Sequence, residues 1–387
     1  MVHRVRAEID LAALRHNIGV VRRFIGPGPR ILAVVKANAY GLGAAPVAAH
    51  AIACGCSALG VNDVEEAVHL RRARITAPIL ILGASVLDDV PTIVENDVAA
   101  TLHSDELVAA LNAEARRQRR FQRVHLKVDT GLTRLGAPPD RALEIAWQVA
   151  ERPHLALEGV FTHLSSAMKG DASVAREQLD RFERVLRELD HAGLRPPVVH
   201  AANSAGLFAV PASRYDLVRP GIALYGMDPG LFASMGLDLR PTLALRTTVA
   251  HLHHARAGTS VGYEQTHRVE RDTIVATCPA GYDDGYPWQL GNRAHVLVRG
   301  RRAPVVGRVS MHYITIDVGA IPEAQAGDDV TLIGRDGAQE IRVEDLARIV
   351  GTIPYEILCR LGRRVQRSYT AGERSESPRG ETRKVAV

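Results

Sequence analysis

Short apolar runs rich in valine, isoleucine and leucine recur eight times in the first 224 residues, with helical patterns between them. The runs are ILAVV (31–35), SALGV (57–61), PILILG (78–83), VAATL (98–102), VHLKV (124–128), LEGVF (157–161), PVVHA (197–201) and LVRPGIAL (217–224). The segment AREQLDRFERVLRELDHAG, which ends at Gly193, carries apolar residues at steps of three and four, as an amphipathic helix does. Eight alternations of strand and helix predict a parallel (β/α)8 barrel of the TIM type over residues 1–240, and a doubly wound parallel sheet is the alternative.

The pattern changes at about residue 241 to short strand-like runs without long helices between them. The runs are LALRTTVAHLHHA, TIVATCP, AHVLVRG, RAPVVGRVS, YITIDV and DDVTLIG. They predict a mainly β domain over residues 241–369, with a short helix in VEDLARIVG. The last residues, 370–387, are polar and contain glycine and proline, and we expect them to be disordered.

The composition is that of an ordinary globular protein. Of the 387 residues, 46% are hydrophobic and 24% are charged, which excludes the fibrous and membrane classes. No apolar segment has the length of a signal-peptide core or a membrane span, so we expect a cytoplasmic protein without a membrane partner. The four cysteines lack the spacing of a disulfide framework or a zinc site, and we expect no metal. The formal net charge of +5 is spread along the chain, which favours an anionic small molecule over nucleic acid as the partner.

Polar side chains that follow the predicted barrel strands are the candidates for chemistry. Barrel active sites lie in the loops at the carboxyl ends of the strands. We therefore expect one rim of the barrel to gather Lys36, Lys127, Arg134, His163, Asn203, Ser204 and Arg219.

Lys36 is the candidate nucleophile, because an amine at the end of an apolar strand is partly desolvated and suited to forming a Schiff base. Only four of the 48 basic residues are lysines. The alternatives are Lys127 in this role, or a Lys36 that simply extends its amine into solvent. The segments NSAG and RPGI follow the seventh strand and lie in the eighth run, where barrels often bind phosphate, although each is also compatible with an ordinary turn. A reactive lysine together with a phosphate site points to pyridoxal phosphate.

Nine motifs, taken in order, resemble those of the alanine racemase family over residues 1 to about 369. They are KANAYGLG, KVDTGLTRLG, THLS, HAANSAG, VRPGIALYG, GYEQTH, GYDDGY, GRVSM and GTIPYEILCRLGRRV. The resemblance implies a pyridoxal-phosphate-dependent isomerase that interconverts L-alanine and D-alanine for D-alanine biosynthesis. It also implies a head-to-tail homodimer with shared active sites, in which the mainly β domain completes the partner's site.

The resemblance also implies a role for each matching residue. Lys36 would hold the cofactor and act as one base, and Tyr263, supplied by the partner subunit, would be the opposing base. Arg219 would bind the pyridine nitrogen with support from His163. The cofactor-binding residues would be Lys36, Tyr40, His163, Asn203, Ser204, Arg219, Gly221, Ile222 and Tyr355. The substrate-binding residues would be Arg134, Met311 and Tyr282. Lys127 matches a position that is often carbamylated in the family, and an unmodified lysine is the alternative.

The chain departs from the family pattern mainly around the substrate entrance. The departures are Leu42, Met168, Gly262, Glu264, Trp288 and His312. Of these, Met168, Trp288 and His312 replace charged residues, so the main alternative is a racemase of the same fold that acts on a different amino acid. A non-catalytic cofactor-binding barrel would lack the β domain, and a decarboxylase on this scaffold would use a carboxylate in place of Arg219. Both rank lower.

Overall fold

The computed structural model describes residues 4–166 and 172–372. The described chain begins with strand β1 (Arg6–Asp10) and helix α1 (Leu11–Ile25). Asp10 caps this helix, because its Oδ1 accepts the backbone N–H of Ala13 at 2.9 Å. The buried side of α1 recurs every three or four residues, which makes it an amphipathic helix with one face toward the core.

Eight short parallel strands follow, one in each predicted apolar run. They are β2 (Arg30–Val34), β3 (Ala58–Val61), β4 (Ile79–Ile81), β5 (Ala100–Leu102), β6 (Gln122–Lys127), β7 (Leu155–Phe161), β8 (Val198–His200) and β9 (Leu217–Val218). They pair in the orders β4-β3-β2-β9 and β5-β6-β7-β8. Parallel bridges between Leu80 and Ala99 and between Asn203 and Arg219 join the two arcs, so the sheet closes on itself. The (β/α)8 barrel is confirmed, and the doubly wound sheet is excluded.

The connections between the barrel strands are mostly helical. The helices are α2 (Lys36–Tyr40), α3 (Ala44–Ala53), α4 (Val64–Arg72), α5 (Val90–Glu95), α6 (Asp105–Arg117), α7 (Ala142–Ala150), α8 (Ser173–His191) and α9 (Ser204–Ala209). In α8 the buried residues include Leu179, Phe182, Leu186 and Leu189, at the steps of three and four that the sequence pattern predicts.

The rest of the described chain is mostly β. Its strands are β10 (Leu243–Thr248), β11 (His251–Ala255), β12 (Ser260–Val261), β13 (His267–Arg268), β14 (Thr273–Cys278), β15 (His295–Val298), β16 (Arg301–Pro304), β17 (Ile314–Asp317), β18 (Asp329–Asp336), β19 (Gln339–Ile341) and β20 (Gln366–Thr370). Helices α10 (Val343–Val350) and α11 (Pro354–Cys359) precede β20. Thr370, the first residue of the predicted disordered tail, is therefore the end of a strand. Residues 373–387 of that tail lie outside the described part.

A seven-stranded sheet dominates this β region and includes the first strand of the chain. Its order is β16-β15-β18-β10-β1-β20, with β19 paired to β18. β1 runs antiparallel to β10 and parallel to β20. The remaining strands form the smaller sheets β11-β14-β17 and β12-β13. The start of the chain, which the sequence pattern places with the barrel, is thus a strand of the β region's main sheet.

One hydrophobic core extends from the barrel into the β region. Buried residues of both parts, such as Leu59 and Val124 in the barrel and Val296 and Leu332 in the main sheet, belong to a single cluster. A separate small core consists of Ala255, Val261, Val269, Val275 and Val306. Among the helices of residues 4–166 and 172–372, none is long and apolar enough to cross a membrane.

Candidate active site

The predicted rim residues lie at the carboxyl ends of the barrel strands. Lys36 begins α2 after β2, and Lys127 is the last residue of β6. His163 and Asn203 follow β7 and β8, and Arg219 follows β9. These side chains lie within electrostatic reach of one another, because Arg219 and Lys36 both contribute to a lowered pKa of Lys127. The structure thus brings the predicted rim residues together.

Lys36 is half-buried beside a carboxylate that the backbone holds in place. Burial, and after it the charge of Arg134, lower the pKa of the Lys36 amine, while Glu66 opposes the shift. Both carboxylate oxygens of Glu66 accept backbone N–H groups, from Ala37 at 2.6 Å and from Asn62 at 2.7 Å. A lowered pKa increases the share of neutral amine, which is the nucleophilic form.

The four residues after Lys36 form a left-handed turn. From Ala37 to Tyr40, φ lies between 52° and 56°. Left-handed backbone costs about 1–2 kcal/mol for each L-residue. The Asn38 side chain supports the turn, because its Oδ1 accepts the backbone N–H of Ala44 at 2.8 Å. Such strain is typical of functional sites, and here it occupies the segment between Lys36 and the buried Tyr40.

Arg219 is only 3% exposed, and its guanidinium is fixed from two sides. Nη2 donates to the carbonyl oxygens of Thr162 at 2.8 Å and Ala201 at 2.9 Å, and lies 3.4 Å from Nδ1 of His163. Nη1 donates to Nδ1 of His200 at 2.8 Å. Burial lowers the pKa of Arg219 to about 9, so the guanidinium stays protonated at neutral pH. Among the described residues, Nε–H and one N–H of Nη1 have no acceptor, so they are available to a further one.

Ser204 and Gly221 form a small polar cradle beside Arg219, which is a candidate site for an anion. The Ser204 hydroxyl oxygen accepts the backbone N–H groups of Gly221 at 2.9 Å and Ala223 at 3.4 Å. Asn203 shapes the turn, because its Oδ1 accepts the backbone N–H of Gly206 at 2.9 Å. Backbone N–H groups and a hydroxyl after the last two strands are the donors with which barrels often bind phosphate.

Tyr40 closes this cradle over Gly221. A Cβ on Gly221 would lie 2.3 Å from the Tyr40 hydroxyl oxygen, so only glycine fits there. The Tyr40 ring lies 4.9 Å from the ring of Tyr225 and 6.0 Å from that of Tyr355. Burial raises the pKa of Tyr40 and takes the pKa of Tyr355 to about 12, so both hydroxyls keep their protons. Ile222, the residue after Gly221, has a buried side chain.

Lys127 and Arg134 lie at the end of β6 and in the loop after it. Lys127 is 4% exposed, and its amine lies 5.5 Å from the centre of the Phe161 ring. Burial and the charges of Arg219 and Arg134 lower the pKa of Lys127 to about 8. The loop is held by Asp129, whose Oδ1 accepts three backbone N–H groups. Arg134 is exposed and, within the part of the chain that the structure describes, pairs with no acidic side chain.

The other predicted residues form a separate, exposed group on the β region. Tyr263 is 72% exposed, Met311 52% and Tyr282 46%. The loops of Met311 and Tyr282 touch at Gly281, where a Cβ would lie 2.3 Å from the Met311 carbonyl oxygen. The backbone N–H of Tyr282 also donates to the Ser310 carbonyl oxygen at 3.1 Å. Across the described residues, no hydrogen bond, ion pair or ring contact joins Tyr263, Met311 or Tyr282 to the rim. Within one chain, the predicted site residues therefore form two separate groups, one at the barrel rim and one on the β region.

Comparison with known proteins identifies the family. The family models described as "Alanine racemase, N-terminal domain" and "Alanine racemase, C-terminal domain" match residues 9–229 and 242–369. The chain belongs to the alanine racemase family. The curated alanine racemase of Symbiobacterium thermophilum is 46% identical over 94% of this chain and 96% of its own length, and that of Desulfovibrio desulfuricans is 40% identical over 94% and 98%.

Solved structures agree with the assignment to the alanine racemases. The alanine racemase of a D-cycloserine-producing Streptomyces lavendulae aligns with a TM-score of 0.90 at 36% identity, covering 96% of this chain and 98% of that one. The Bacillus anthracis alanine racemase, described with bound L-Ala-P, gives 0.90 at 35% identity and covers 97% of both chains. The resemblance inferred from the sequence motifs is therefore confirmed.

Two of the positions at which this family member departs from the pattern lie in very different settings. Leu42 is fully buried in the core, where a histidine would need a polar partner. His312 lies near the surface, with its Nδ1 3.8 Å from a carboxylate oxygen of Asp283, which in turn pairs with Arg364 at 3.0 Å. Met168 lies outside the described residues.

The other departures surround Tyr263. Gly262 and Glu264, on either side of it, have φ of 76° and 59°, so the tyrosine sits in a turn of left-handed backbone. Glu264 pairs with Arg308 at 2.9 Å, and the Arg308 guanidinium lies 4.5 Å from the centre of the Trp288 ring. Trp288 thus stacks on a cation in the wall beside Tyr263.

Four polar residues of the barrel were not predicted as part of the site, namely Glu66, His125, Glu158 and His200. His125 and His200 lie within the apolar runs VHLKV and PVVHA, and a polar side chain in a buried strand requires a partner. That requirement is the signal through which sequence reasoning could have found the two histidines.

Proposed function

We propose that this protein is a pyridoxal-phosphate-dependent alanine racemase that interconverts L-alanine and D-alanine, with Lys36 and Tyr263 as its two bases. The observation that carries the proposal is the set of groups at the barrel rim. They are an amine of lowered pKa, a buried guanidinium without an acidic partner in residues 4–166 and 172–372, and the cradle at Ser204 and Gly221. Alanine as the substrate is supported by the names of the relatives and by the L-Ala-P described in one of the solved structures.

The rim residues fit pyridoxal phosphate by the chemistry of their donors. Lys36 supplies an amine for covalent attachment, and Arg219 has two N–H groups left for the ring nitrogen. The phosphate would lie among Tyr40, Ser204, Gly221, Ile222 and Tyr355, where the hydroxyls of Tyr40, Ser204 and Tyr355 can donate to it, with Asn203 shaping the turn. When bound, the cofactor supplies an electron sink for the electron pair left at Cα after its proton is removed.

Arg219 sets the strength of that sink. Its guanidinium stays protonated at neutral pH, so it donates a hydrogen bond to the ring nitrogen without transferring its proton. The sink is then weaker than with a carboxylate partner, which favours return of the proton to Cα over transamination. His163, 3.4 Å from Nη2, lies beside Arg219 and is kept neutral, because burial and the surrounding cations hold its pKa well below its ordinary value.

Racemization needs a base on each face of Cα, because each base must return the proton that the other did not take. The lowered pKa of Lys36 makes a neutral amine available on one face. Tyr263 is exposed on the β region and makes no contact with the rim of its own chain among the described residues. We infer that it acts in the site of a partner subunit in a head-to-tail homodimer. Residues 1–240 would then bind the cofactor, and residues 241–369 would complete the partner's site.

Arg134, Met311 and Tyr282 are the residues proposed for the carboxylate end of the substrate. Arg134 offers a guanidinium without an acidic partner among the described residues, and Met311 offers its backbone N–H in an exposed loop. Lys127, with a pKa of about 8, has a sizeable neutral fraction at physiological pH. A neutral amine adds to CO2 to give a carbamate and a proton, and the new negative charge at Lys127 would orient Arg134.

Exchange of the Cα proton for deuterium tests the proposed activity. The measurement is NMR in heavy water, with pyridoxal phosphate added and a panel of L- and D-amino acids, and it reports proton abstraction whatever the substrate. We expect exchange with both enantiomers of alanine. Exchange confined to another amino acid would instead support the alternative raised by Trp288 and His312. A lack of exchange with every amino acid would contradict a racemase.

A matched pair of variants tests the second base. Tyr263→Phe and Tyr313→Phe each remove one hydroxyl from an exposed tyrosine of the β region, 72% and 42% exposed respectively. Loss of a general base slows catalysis by about 10²–10⁴-fold, so Tyr263→Phe should lose racemization to that extent. Exchange of the Cα proton should persist in Tyr263→Phe for the alanine enantiomer whose proton Lys36 removes. Tyr313→Phe should racemize alanine at the rate of the parent. Parental racemization by Tyr263→Phe in both directions would show the assignment to be wrong.

A further inference from the structure

Arg219 carries a positive charge inside the barrel, and none of its hydrogen-bond partners among the described residues is acidic. A buried charge is unfavourable unless it is paired or extensively hydrogen-bonded. A chain of hydrogen bonds nevertheless links Arg219 to a carboxylate. His200 Nε2 lies 2.9 Å from His125 Nδ1, and His125 Nε2 lies 3.3 Å from a carboxylate oxygen of Glu158. We call the chain Arg219, His200, His125 and Glu158 the relay.

The two ends of the relay fix the proton positions in between. A guanidinium can only donate, so Nδ1 of His200 must accept from Arg219. Burial and the charge of Arg219 hold the pKa of His200 well below its ordinary value, so its single proton is on Nε2. His200 therefore donates to Nδ1 of His125, whose own proton is on Nε2 and points to Glu158. All three hydrogen bonds run in one direction, from the cation to the carboxylate.

The fold is built locally to make this relay. The pairing of β6 with β7 shifts register between Val124 and His125, which pair with Leu157 and Gly159 and leave Glu158 as the extra residue of a bulge. Bulges redirect side chains, and this one brings Glu158 to His125. Gly159 is required as well, because a Cβ there would lie 2.3 Å from His125 Nδ1.

The middle of the relay is clamped by packing. His200 is fully buried, and its ring stacks on that of Phe161, with the centroids 4.6 Å apart and the planes 7° from parallel. The guanidinium of Arg219 lies 5.2 Å from the centre of the same Phe161 ring. TIM barrels normally fill this interior with branched apolar side chains. The position of His200 is therefore determined both by its hydrogen bonds and by its packing.

Glu158 lies at the mouth of the barrel opposite the rim that carries Lys36. It lines a small cavity together with residues from the beginnings of the strands, including Arg30, Arg123 and Val198. The hydrogen bond from His125 is the largest cause of a lowered pKa of Glu158, and the positive charge around it, to which Arg123 and Arg30 contribute, acts in the same direction despite the partial burial of the carboxylate. Glu158 is thus ionised at neutral pH, and its negative charge is available to the relay.

We propose that Glu158, His125 and His200 are positioning residues for Arg219. Glu158 acts as the remote counter-charge of the guanidinium, and the two imidazoles fix the direction of its hydrogen bonds. The remaining N–H groups of Arg219 are thereby held for the ring nitrogen of the cofactor. This last step rests on the proposed function, whereas the relay itself does not.

The first test needs neither cofactor nor substitution. NMR of the cofactor-free protein, labelled with ¹⁵N-histidine, reports which ring nitrogen carries the proton. We expect His200 and His125 to be neutral, with the proton on Nε2 in both. A proton on Nδ1 of either ring would overturn the relay.

The second test compares Glu158→Ala and Glu158→Gln with the control Glu183→Gln. Glu183 is a partly buried carboxylate on α8 that accepts the Tyr215 hydroxyl at 2.5 Å, and it is not in the relay. Glu158→Ala should shift the His125 and His200 signals, change the absorption spectrum of the bound cofactor and weaken its binding about tenfold, the scale of one charge-assisted hydrogen bond. Glu158→Gln retains an acceptor oxygen and should have a smaller effect. Glu183→Gln should have none.

The readouts separate the proposals. Histidine signals in Glu158→Ala that match those of the parent would overturn the relay. Shifted histidine signals with an unchanged cofactor spectrum and affinity would show that Glu158 is only structural, and would overturn its positioning role. If the parent itself failed to bind pyridoxal phosphate, the proposed function would fail, while the histidine signals would still decide the relay.

Discussion

Replacing Lys127 with methionine should stabilise the cofactor-free protein at neutral pH. The Lys127 side chain is 4% exposed, and burial together with the charges of Arg219 and Arg134 lowers its pKa from 10.5 to about 8. In the unfolded chain the Lys127 amine has its ordinary pKa, so it binds its proton more weakly in the folded protein than in the unfolded chain. A difference of this size corresponds to about 3 kcal/mol of unfolding free energy at neutral pH. Methionine has a similar length and adaptable packing, so Lys127→Met should recover most of that amount.

The pH dependence distinguishes this effect from a change in packing. Below the folded pKa of about 8, Lys127 is charged in both states and the full destabilisation is present. Between about 8 and 10.5, the unfolded chain retains a proton that the folded protein has released, so the stability of the parent rises with pH. Above that window the amine is neutral in both states, and the difference between parent and variant approaches that of packing alone.

Urea unfolding of the two cofactor-free proteins, at neutral pH and at about pH 10.5, measures the difference. The buffers should be free of CO2, because a carbamate would replace the positive charge by a negative one. The control Arg187→Met removes an exposed charge from α8 and should change the unfolding free energy by less than about 0.5 kcal/mol. A Lys127→Met protein that is less stable than the parent by the same amount at both pH values would refute the reasoning.

Three further outcomes are expected. Gly221→Ala should weaken cofactor binding at least about tenfold in equilibrium dialysis, because its Cβ would collide with the Tyr40 hydroxyl and overpacking costs about 1–3 kcal/mol; parental affinity would contradict the proposed cradle. Bicarbonate should raise the thermal midpoint of the parent but not of Lys127→Met, since only Lys127 combines burial with a pKa of about 8 among the described lysines; an equal rise in both would contradict carbamylation at this lysine. Dilution that dissociates the protein, followed by sedimentation, should abolish racemization in parallel, because Tyr263 would leave the partner's site; active monomers would contradict a shared site.

Much of the fold could be predicted from the sequence because parallel barrel strands are buried on both faces. Such strands read as continuous apolar runs, and β6 (Gln122–Lys127) overlaps the predicted run at 124–128. β1 shows the limit of this signal. Its residues alternate between partly exposed and buried, which indicates a strand with one covered face. Its partners begin at Leu243 and Gln366, and a pattern of five residues cannot specify pairing at that distance.

The candidate site also has a part that the sequence could predict and a part that it could not. Lys36 directly follows the first apolar run and Arg219 lies in the eighth, and both could be located because the barrel brings such positions together. His125 and His200 could have been singled out as polar residues in buried strands, but the relay as a whole could not be located, because it depends on the register shift that displaces Glu158 toward His125. One extra residue in a strand leaves no trace in the alternation of apolar and polar positions when the strand is buried on both faces. The extra residue is detected only when the residue pairing between β6 and β7 is known.

The charges at the rim connect stability with binding. Lys36, Lys127 and Arg219 are cations in or near the barrel interior, and Arg134 contributes to the lowered pKa of both lysines. Glu66 is the acidic side chain that raises the pKa of Lys36, and its carboxylate oxygens are already bound by backbone N–H groups. The excess of positive charge destabilises the folded chain by itself and favours any anion that the rim can bind. A phosphate-bearing cofactor and a substrate carboxylate both supply negative charge there, so binding should stabilise the fold as well as assemble the chemistry. The positive charge that makes buried Lys127 unfavourable in the cofactor-free protein would therefore also favour anionic ligands at the rim.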